Sequence, residues 1–308
     1  MKRTLTQQIS ANKRASTFYS FLLLVLLSAL GFAIAGYWYP QYWMIGGAIA
    51  AVIGVIVALV ARAAGPSLVL QFSRARHASA LELQMVDNVV EEMAIAAGIP
   101  KPEVYVIDDD APNAFATGMD PKHGVVVVTT GLIRKLDRDE LQGVVAHEIS
   151  HIRNYDVRLM TTLAIVAGLI PLFADFFLRS TFWGGGRKRG RDDGAIIFLV
   201  IGLVLAILAP IFAKLLELAV SRQREYLADA SAAELTRYPE GLASALEKIS
   251  RDPEPLEAAN RATEHMYIIN PLKAIGERTS SLFATHPPTA DRIRRLRGLM
   301  GNPESLRG

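Results

Sequence analysis

From Ala15 to Ala61 the chain carries no aspartate, glutamate, lysine or arginine. An uncharged apolar run of that length exceeds the ~20 residues that one helical bilayer crossing takes, so the sequence predicts a membrane hairpin. The run divides into Thr17 to Ala35 and Tyr42 to Ala61, around a turn at Tyr37-Trp38-Tyr39-Pro40. The first half is too long for the apolar core of a signal peptide. Tyr37, Trp38, Tyr39, Tyr42 and Trp43 suit a membrane–water interface. Lys2, Arg3, Lys13 and Arg14 precede the hairpin and Arg62, Arg74 and Arg76 follow it, so the positive-inside rule puts both flanks in the cytoplasm.

Two further apolar stretches run from Leu159 to Leu178 and from Ala195 to Ala213, with Pro171, Asp175 and Pro210 inside them. They are read as a second hairpin, pulled across by the first. The loop between them carries Arg187, Lys188, Arg189 and Arg191, which opposes that orientation, and an interfacial position is the alternative. The expected fold class is an α-helical membrane protein with a mainly α domain outside the spans that contains a small β-sheet. Residues 1–63 form a cytosolic tail and hairpin, and 64–158 the first part of that domain. Residues 159–216 form the second hairpin with its basic loop, and 217–308 the second part of the domain.

The chemistry concentrates between Asp137 and Tyr155, where His147-Glu148-Ile149-Ser150-His151 spells HExxH. At 3.6 residues per turn, His147 and His151 leave the same face of a helix, and each can bring a ring nitrogen to about 2.0–2.1 Å from a zinc ion. Glu148 is offset by about 100°, off the metal but within reach of a zinc-bound water, as a general base requires. Asp137 and Glu140 form an N-cap with its capping-box partner, and Leu141, Val144, Val145, Ile149 and Ile152 supply the apolar stripe. There is no cysteine, so a metal must be held by histidine and carboxylate.

Ahead of this helix, Leu81, Met85, Val89, Val90, Met93 and Ala94 predict a helix over Ser79 to Gly98. Strands are expected at Val104 to Ile107 and Val125 to Thr129, joined by a loop that contains Asn113-Ala114-Phe115. A strand edge there could hold an extended substrate through backbone hydrogen bonds, and Asn113, Ala114 and Phe115 are the candidate substrate-binding residues. A simple hairpin loop is the alternative.

A catalytic zinc site needs three protein ligands and one open position. After Ala213 the helical pattern continues unbroken into SRQREYLADASAAEL. Glu225 is the candidate third ligand there, since Ala228, Ala230, Ala232 and Ala233 permit close helix packing. Asp229, one turn on, could accept the outer N–H of a ligating histidine. Asp156 competes as a ligand but suits a supporting position better. The alternative for Glu225 and Asp229 is a solvated face paired with Arg222 and Arg224. His286, before two prolines, could stabilise an oxyanion or act as a removable fourth ligand, or simply lead into an amphipathic helix through Arg292, Ile293, Arg295, Leu296 and Leu299. Arg222 is a second oxyanion candidate.

HEISHIRNYD, SRQREYLADASA, NAFATG and THPPTADRI occur in this order, with paired apolar segments before and after HExxH. The combination resembles the HtpX-type bacterial membrane zinc metalloproteases, related to the CAAX prenyl endopeptidases. The resemblance covers nearly the whole chain. It implies a zincin-like (gluzincin) catalytic domain and one zinc ion held by His147, His151 and Glu225. It also implies Glu148 as base and Asp229 as support, in a multi-pass protein of the bacterial inner membrane with its site facing the cytoplasm. Its partners would be membrane-protein or unfolded polypeptide substrates and the lipid bilayer, in the turnover of damaged membrane proteins. Oligomeric state is not legible.

Other functions fit less well. A metal transporter needs ionisable ligands inside its spans, where only Asp175 stands. A zinc-binding scaffold without catalysis has no need of Glu148. The net charge of +3 comes with no nucleic-acid recognition module, and no nucleic-acid partner is expected.

Overall fold

The computed structural model describes residues 40–162, 193–258, 263–269 and 287–300, with scattered positions between 10 and 37 and at 175 and 179. Most of Leu159 to Leu178, the basic loop at 187–192 and His286 lie outside the described residues. The chain forms two compact units. One comprises 1–13, 65–164 and 217–308; the other comprises 14–64 and 165–216.

The first unit is built on a four-stranded sheet of order β1-β2-β4-β3, with β1 at Arg76–His77, β2 at Glu103–Ile107, β3 at Ala114–Thr117 and β4 at Val125–Thr129. β2 and β4 are parallel, while β1 and β3 run antiparallel to their neighbours. β4 reads VVVVT and is buried along its whole length, as expected of a β-branched run in the middle of a sheet. The loop foreseen between Ile107 and Val125 contains a strand: β3 pairs Ala114 with Val128 and Thr117 with Val125. Its four residues are all buried, like those of β4, but AFAT is short and half alanine and lacks the β-branched run that marks β4 in the sequence.

Helix α1 runs from Trp43 to Phe72 and α2 from Ala80 to Ala97. In α2, Val86, Val89, Val90, Met93, Ala94 and Ala97 recur at helical spacing and are all buried in the main core. Gly98, at φ 67°, closes α2: its N–H bonds to Ile95 O and that of Ile99 to Ala94 O. That left-handed position is one that glycine occupies without the Cβ penalty.

Helix α3 spans Thr130–Lys135 and α4 spans Arg138–Arg153. The Asp137 side chain accepts from Glu140 N at 2.9 Å, and the Glu140 carboxylate accepts from Asp137 N at 3.0 Å, completing the capping box. Glu140 also receives Ser244 Oγ and Lys248 Nζ, each at 2.6 Å, from helix α6 at Pro239–Arg251. The start of α4 is thereby pinned to α6. The two helices meet closely where Gly143 faces Leu242: a Cβ on Gly143 would lie 2.5 Å from Leu242 N. Helix α5 extends without interruption over Asp193–Thr236, and α7 covers Thr289–Met300.

In the second unit, large side chains of α1 stand exposed, among them Met44, Ile45, Ile49, Val52, Ile56 and Leu59. Gly31 packs on Ala50 and Gly46 on Ala35, with no room for a Cβ on either glycine. Over the described residues alone, no helix is long and apolar enough to cross a membrane.

Candidate metal centre

Helix α4 lies against the sheet, α2 and α6, and buries His147, Glu148 and His151 almost completely. One face of the helix is therefore polar and dry at once. Buried polar groups cost free energy unless they are paired, so this face must have a compensating partner. The partner is α5, whose Ala228, Ala232 and Ala233 are buried and small enough to let the helix approach. Glu225 is buried there, with 1% exposure.

The three side chains converge. His147 Nε2 and His151 Nε2 are 3.2 Å apart, His151 Nε2 is 3.3 Å from Glu225 Oε1, and His147 Nε2 is 3.6 Å from Glu225 Oε2. Ligands about 2.0–2.1 Å from a tetrahedral ion stand roughly 3.3–3.4 Å from one another, the edge of that tetrahedron. The observed spacings bracket this edge. His147, His151 and Glu225 could together hold a metal ion. The donor set, two imidazoles and one carboxylate, suits zinc and leaves a fourth position open.

The outer ring nitrogens are also held. His147 Nδ1 lies 3.0 Å from Asp229 Oδ1, and His151 Nδ1 lies 3.1 Å from Asp156 Oδ2. A carboxylate on Nδ1 places the proton there and turns the Nε2 lone pair inward, the tautomer a metal requires. Asp156 reaches His151 because α4 stops at Asn154, whose N–H bonds to Ser150 O, and Tyr155 then reverses the chain at φ 61°. A non-glycine residue in that left-handed region is uncommon and is held only where its surroundings demand it.

Burial opposes charge throughout the site, and neighbouring groups decide each outcome. It disfavours the imidazolium of His147, but Asp229 and Glu225 outweigh it and its pKa rises. It likewise disfavours that of His151, but Asp156 and Glu225 push the pKa up to about 10. For Asp229 burial acts upward, yet Arg292 and His147 hold the carboxyl below its ordinary range. Glu148 is raised because burial prevails over the nearby positive charges. Its Oε1 is buried and accepts no hydrogen bond among the described residues. Such an atom is suited to receive a proton.

One member of the site was not foreseen in its role. Arg292, on α7, is 1% exposed; it donates to Asp229 from Nε at 2.9 Å and Nη2 at 2.7 Å, and to Ile268 O at 2.8 Å. Its Nη1 stands 3.3 Å from Glu225 Oε2. By spacing alone it belongs to an amphipathic helix of many arginines; only its place in THPPTADRI sets it apart. Arg222, the arginine singled out as an oxyanion candidate, is exposed.

The outer edge of β3 also differs from expectation. The sequence offers Asn113, Ala114 and Phe115 as a strand edge for substrate or as a simple hairpin loop; in the structure the outer edge of this strand is already paired. Phe115 bridges Tyr267, Ala114 O accepts from Ile268 N at 2.9 Å, and Asn113 Nδ2 donates to Ile269 O at 3.0 Å. The Phe115 and Tyr267 rings meet edge to face at 5.0 Å. The chain's own backbone satisfies these groups, because an unpaired edge with such apolar side chains is costly.

Residues 80–300 match the model of peptidase family M48. A protein from Dictyoglomus thermophilum named Protease HtpX homolog is 50% identical over 298 residues, covering 97% of this chain and 95% of that protein. One of the same name from Thermoanaerobacter pseudethanolicus is 46% identical over 301 residues, covering 97% and 99%. The crystal structure of S. mikatae Ste24p aligns with a TM-score of 0.48 at 21% identity; this chain covers 65% of that one.

Proposed function

Because the chain belongs to peptidase family M48, and is therefore a metalloprotease, we propose that it is a zinc endopeptidase anchored in the bacterial inner membrane. It would cleave misfolded or damaged membrane proteins from the cytosolic side. The observation that carries the metal chemistry is the convergence of His147 Nε2, His151 Nε2 and Glu225 at spacings of 3.2–3.6 Å. Zinc held there would supply a bound water whose pKa is lowered toward 7 and a Lewis acid for the scissile carbonyl.

The remaining chemistry belongs to the chain. Glu148, buried and raised in pKa by that burial, takes the proton from the attacking water and returns it to the leaving amine. Asp229 and Asp156 keep the two imidazoles in one orientation, so nothing need reorganise when substrate arrives. Arg292 holds Asp229 and adds positive charge beside Glu225.

Membrane anchoring rests on the charge-free run from Ala15 to Ala61, the exposed apolar side chains of α1 and the glycine–alanine contacts of Gly31 with Ala50 and Gly46 with Ala35. Small residues at that spacing let helices approach closely in lipid. Tethering at the bilayer raises the local concentration of membrane proteins and their cytosolic loops, so selectivity needs little from the site itself.

The test is zinc-dependent cleavage of unfolded casein and of a membrane protein in detergent, comparing wild type with Glu148→Gln and measuring bound zinc in both. Equal zinc with cleavage only by wild type is expected, the variant losing roughly 100-fold or more in turnover. Equal zinc with cleavage by neither would favour a metal-binding scaffold.

A further inference from the structure

Each histidine of the site is held by a carboxylate, and each carboxylate by an arginine. On one side Arg292 bonds Asp229, which faces His147 Nδ1 at 3.0 Å. On the other, Arg224 Nη1 lies 3.2 Å from Asp156 Oδ1, while Asp156 Oδ2 lies 3.1 Å from His151 Nδ1. We propose that Arg224 is a positioning residue of the metal centre, one that ties the helix bearing Glu225 to the carboxylate orienting His151. The inference rests on the metal-binding reading above and names a residue that reading does not use.

The geometry is specific. Arg224 and Glu225 are consecutive on α5, so their side chains leave the helix about 100° apart and here reach different partners. Glu225 faces the two histidines; Arg224 reaches past them to Asp156, just beyond the end of α4. Asp229, one turn on, serves His147. A single stretch of α5 therefore supplies one ligand and addresses the supports of both others.

The energetics explain why an arginine stands here. The Asp156 side chain is fully buried and that of Arg224 is 15% exposed. A buried carboxylate with two oxygens can turn about its Cβ–Cγ bond. Binding Oδ1 to a guanidinium fixes the plane and commits Oδ2 to His151. A guanidinium is always charged and planar, with its donors in a rigid fork, whereas a lysine ammonium fixes no plane. The backbone supports the same arrangement, because Tyr155 at φ 61° is the turn that brings Asp156 back onto His151. Without Arg224 the Glu225 helix and His151 lose their common reference, and the ligand atoms spread.

The test uses the full-length protein in detergent, loaded with zinc, and follows zinc release to a chromogenic chelator. Arg224→Ala should release zinc roughly 10–100-fold faster than wild type, the range for losing an outer-shell partner. Arg224→Lys should recover only part of that. If Arg224 acts through Asp156, Asp156→Ala should speed release by itself, and adding Arg224→Ala to it should change little more. Release is followed where the metal-free Arg224→Ala protein is still folded by circular dichroism, so that loss of the fold is not what frees the ion. Release by Arg224→Ala within twofold of wild type would overturn the proposal, as would full additivity with Asp156→Ala. Wild-type protein that fails to retain zinc would instead overturn the metal reading beneath it.

Discussion

Arg292 and Asp229 form a two-hydrogen-bond ion pair that is closed to solvent, with Nε–Oδ2 at 2.9 Å and Nη2–Oδ1 at 2.7 Å. The pair joins α7 to α5 directly behind His147. Removing the arginine alone strands a carboxylate in a dry interior, and breaking a buried pair in this way costs about 3–5 kcal/mol. Arg292→Ala is expected to lower the urea midpoint of unfolding accordingly. A loss below about 1 kcal/mol would mean that water reaches Asp229 easily, contrary to its burial.

Gly143 offers a purely steric prediction. A Cβ there would lie 2.5 Å from Leu242 N and 2.8 Å from Leu242 Cα, both backbone atoms that cannot swing aside. Gly143→Ala should force α4 and α6 apart and destabilise by about 1–3 kcal/mol. Gly298, on α7, has nothing within 4 Å of the same position. Gly298→Ala should be neutral or stabilising by up to about 1 kcal/mol, because alanine is the better helix former. Thermal melts of the two variants should therefore move in opposite directions or differ clearly in size.

The capping box at the start of α4 is open to a similar measurement. Asp137 caps Glu140 N, and Glu140 returns the bond while holding Ser244 and Lys248. Asp137→Ala removes the cap and one exposed 4.0 Å contact with Lys248, and should cost about 1 kcal/mol. Glu140→Ala removes the tie to α6 as well and should cost distinctly more. Equal losses would indicate that the bonds to Ser244 and Lys248 contribute nothing to stability.

Zinc removal should weaken the fold. Ligands brought together only by folding are stabilised by any ion that binds them, by about 4 kcal/mol when free zinc exceeds its Kd a thousandfold. Adding a chelator should lower the melting temperature of wild-type protein, and restoring zinc should return it. A His151→Ala variant should show little response to either treatment.

Within the catalytic unit, what could be read in advance was local. HExxH on a helix capped by Asp137, the helix at Ala80–Ala97 and the strands at Glu103–Ile107 and Val125–Thr129 follow from periodicity, capping and turn chemistry, which act over a few residues. The strand at Ala114–Thr117 is hidden because it is four residues long and half alanine, whereas the equally buried Val125–Thr129 announces itself as a run of valines. The pairing of that strand with Tyr267 and Ile268 was hidden because the partners are far apart in sequence.

The sequence by itself determined which side chains can ligate a metal and that His147 and His151 share a helix face, since four residues make about one turn. It also determined the charge-free run that points to a membrane, since hydropathy is a property of composition. Tertiary structure decided the rest of the site. Glu225 meets the histidines, Asp229 and Asp156 take their outer nitrogens, and Arg292 rather than Arg222 is the buried arginine. The physical reason is that arginines are chemically alike along a chain, and only packing determines which of them gives up its water.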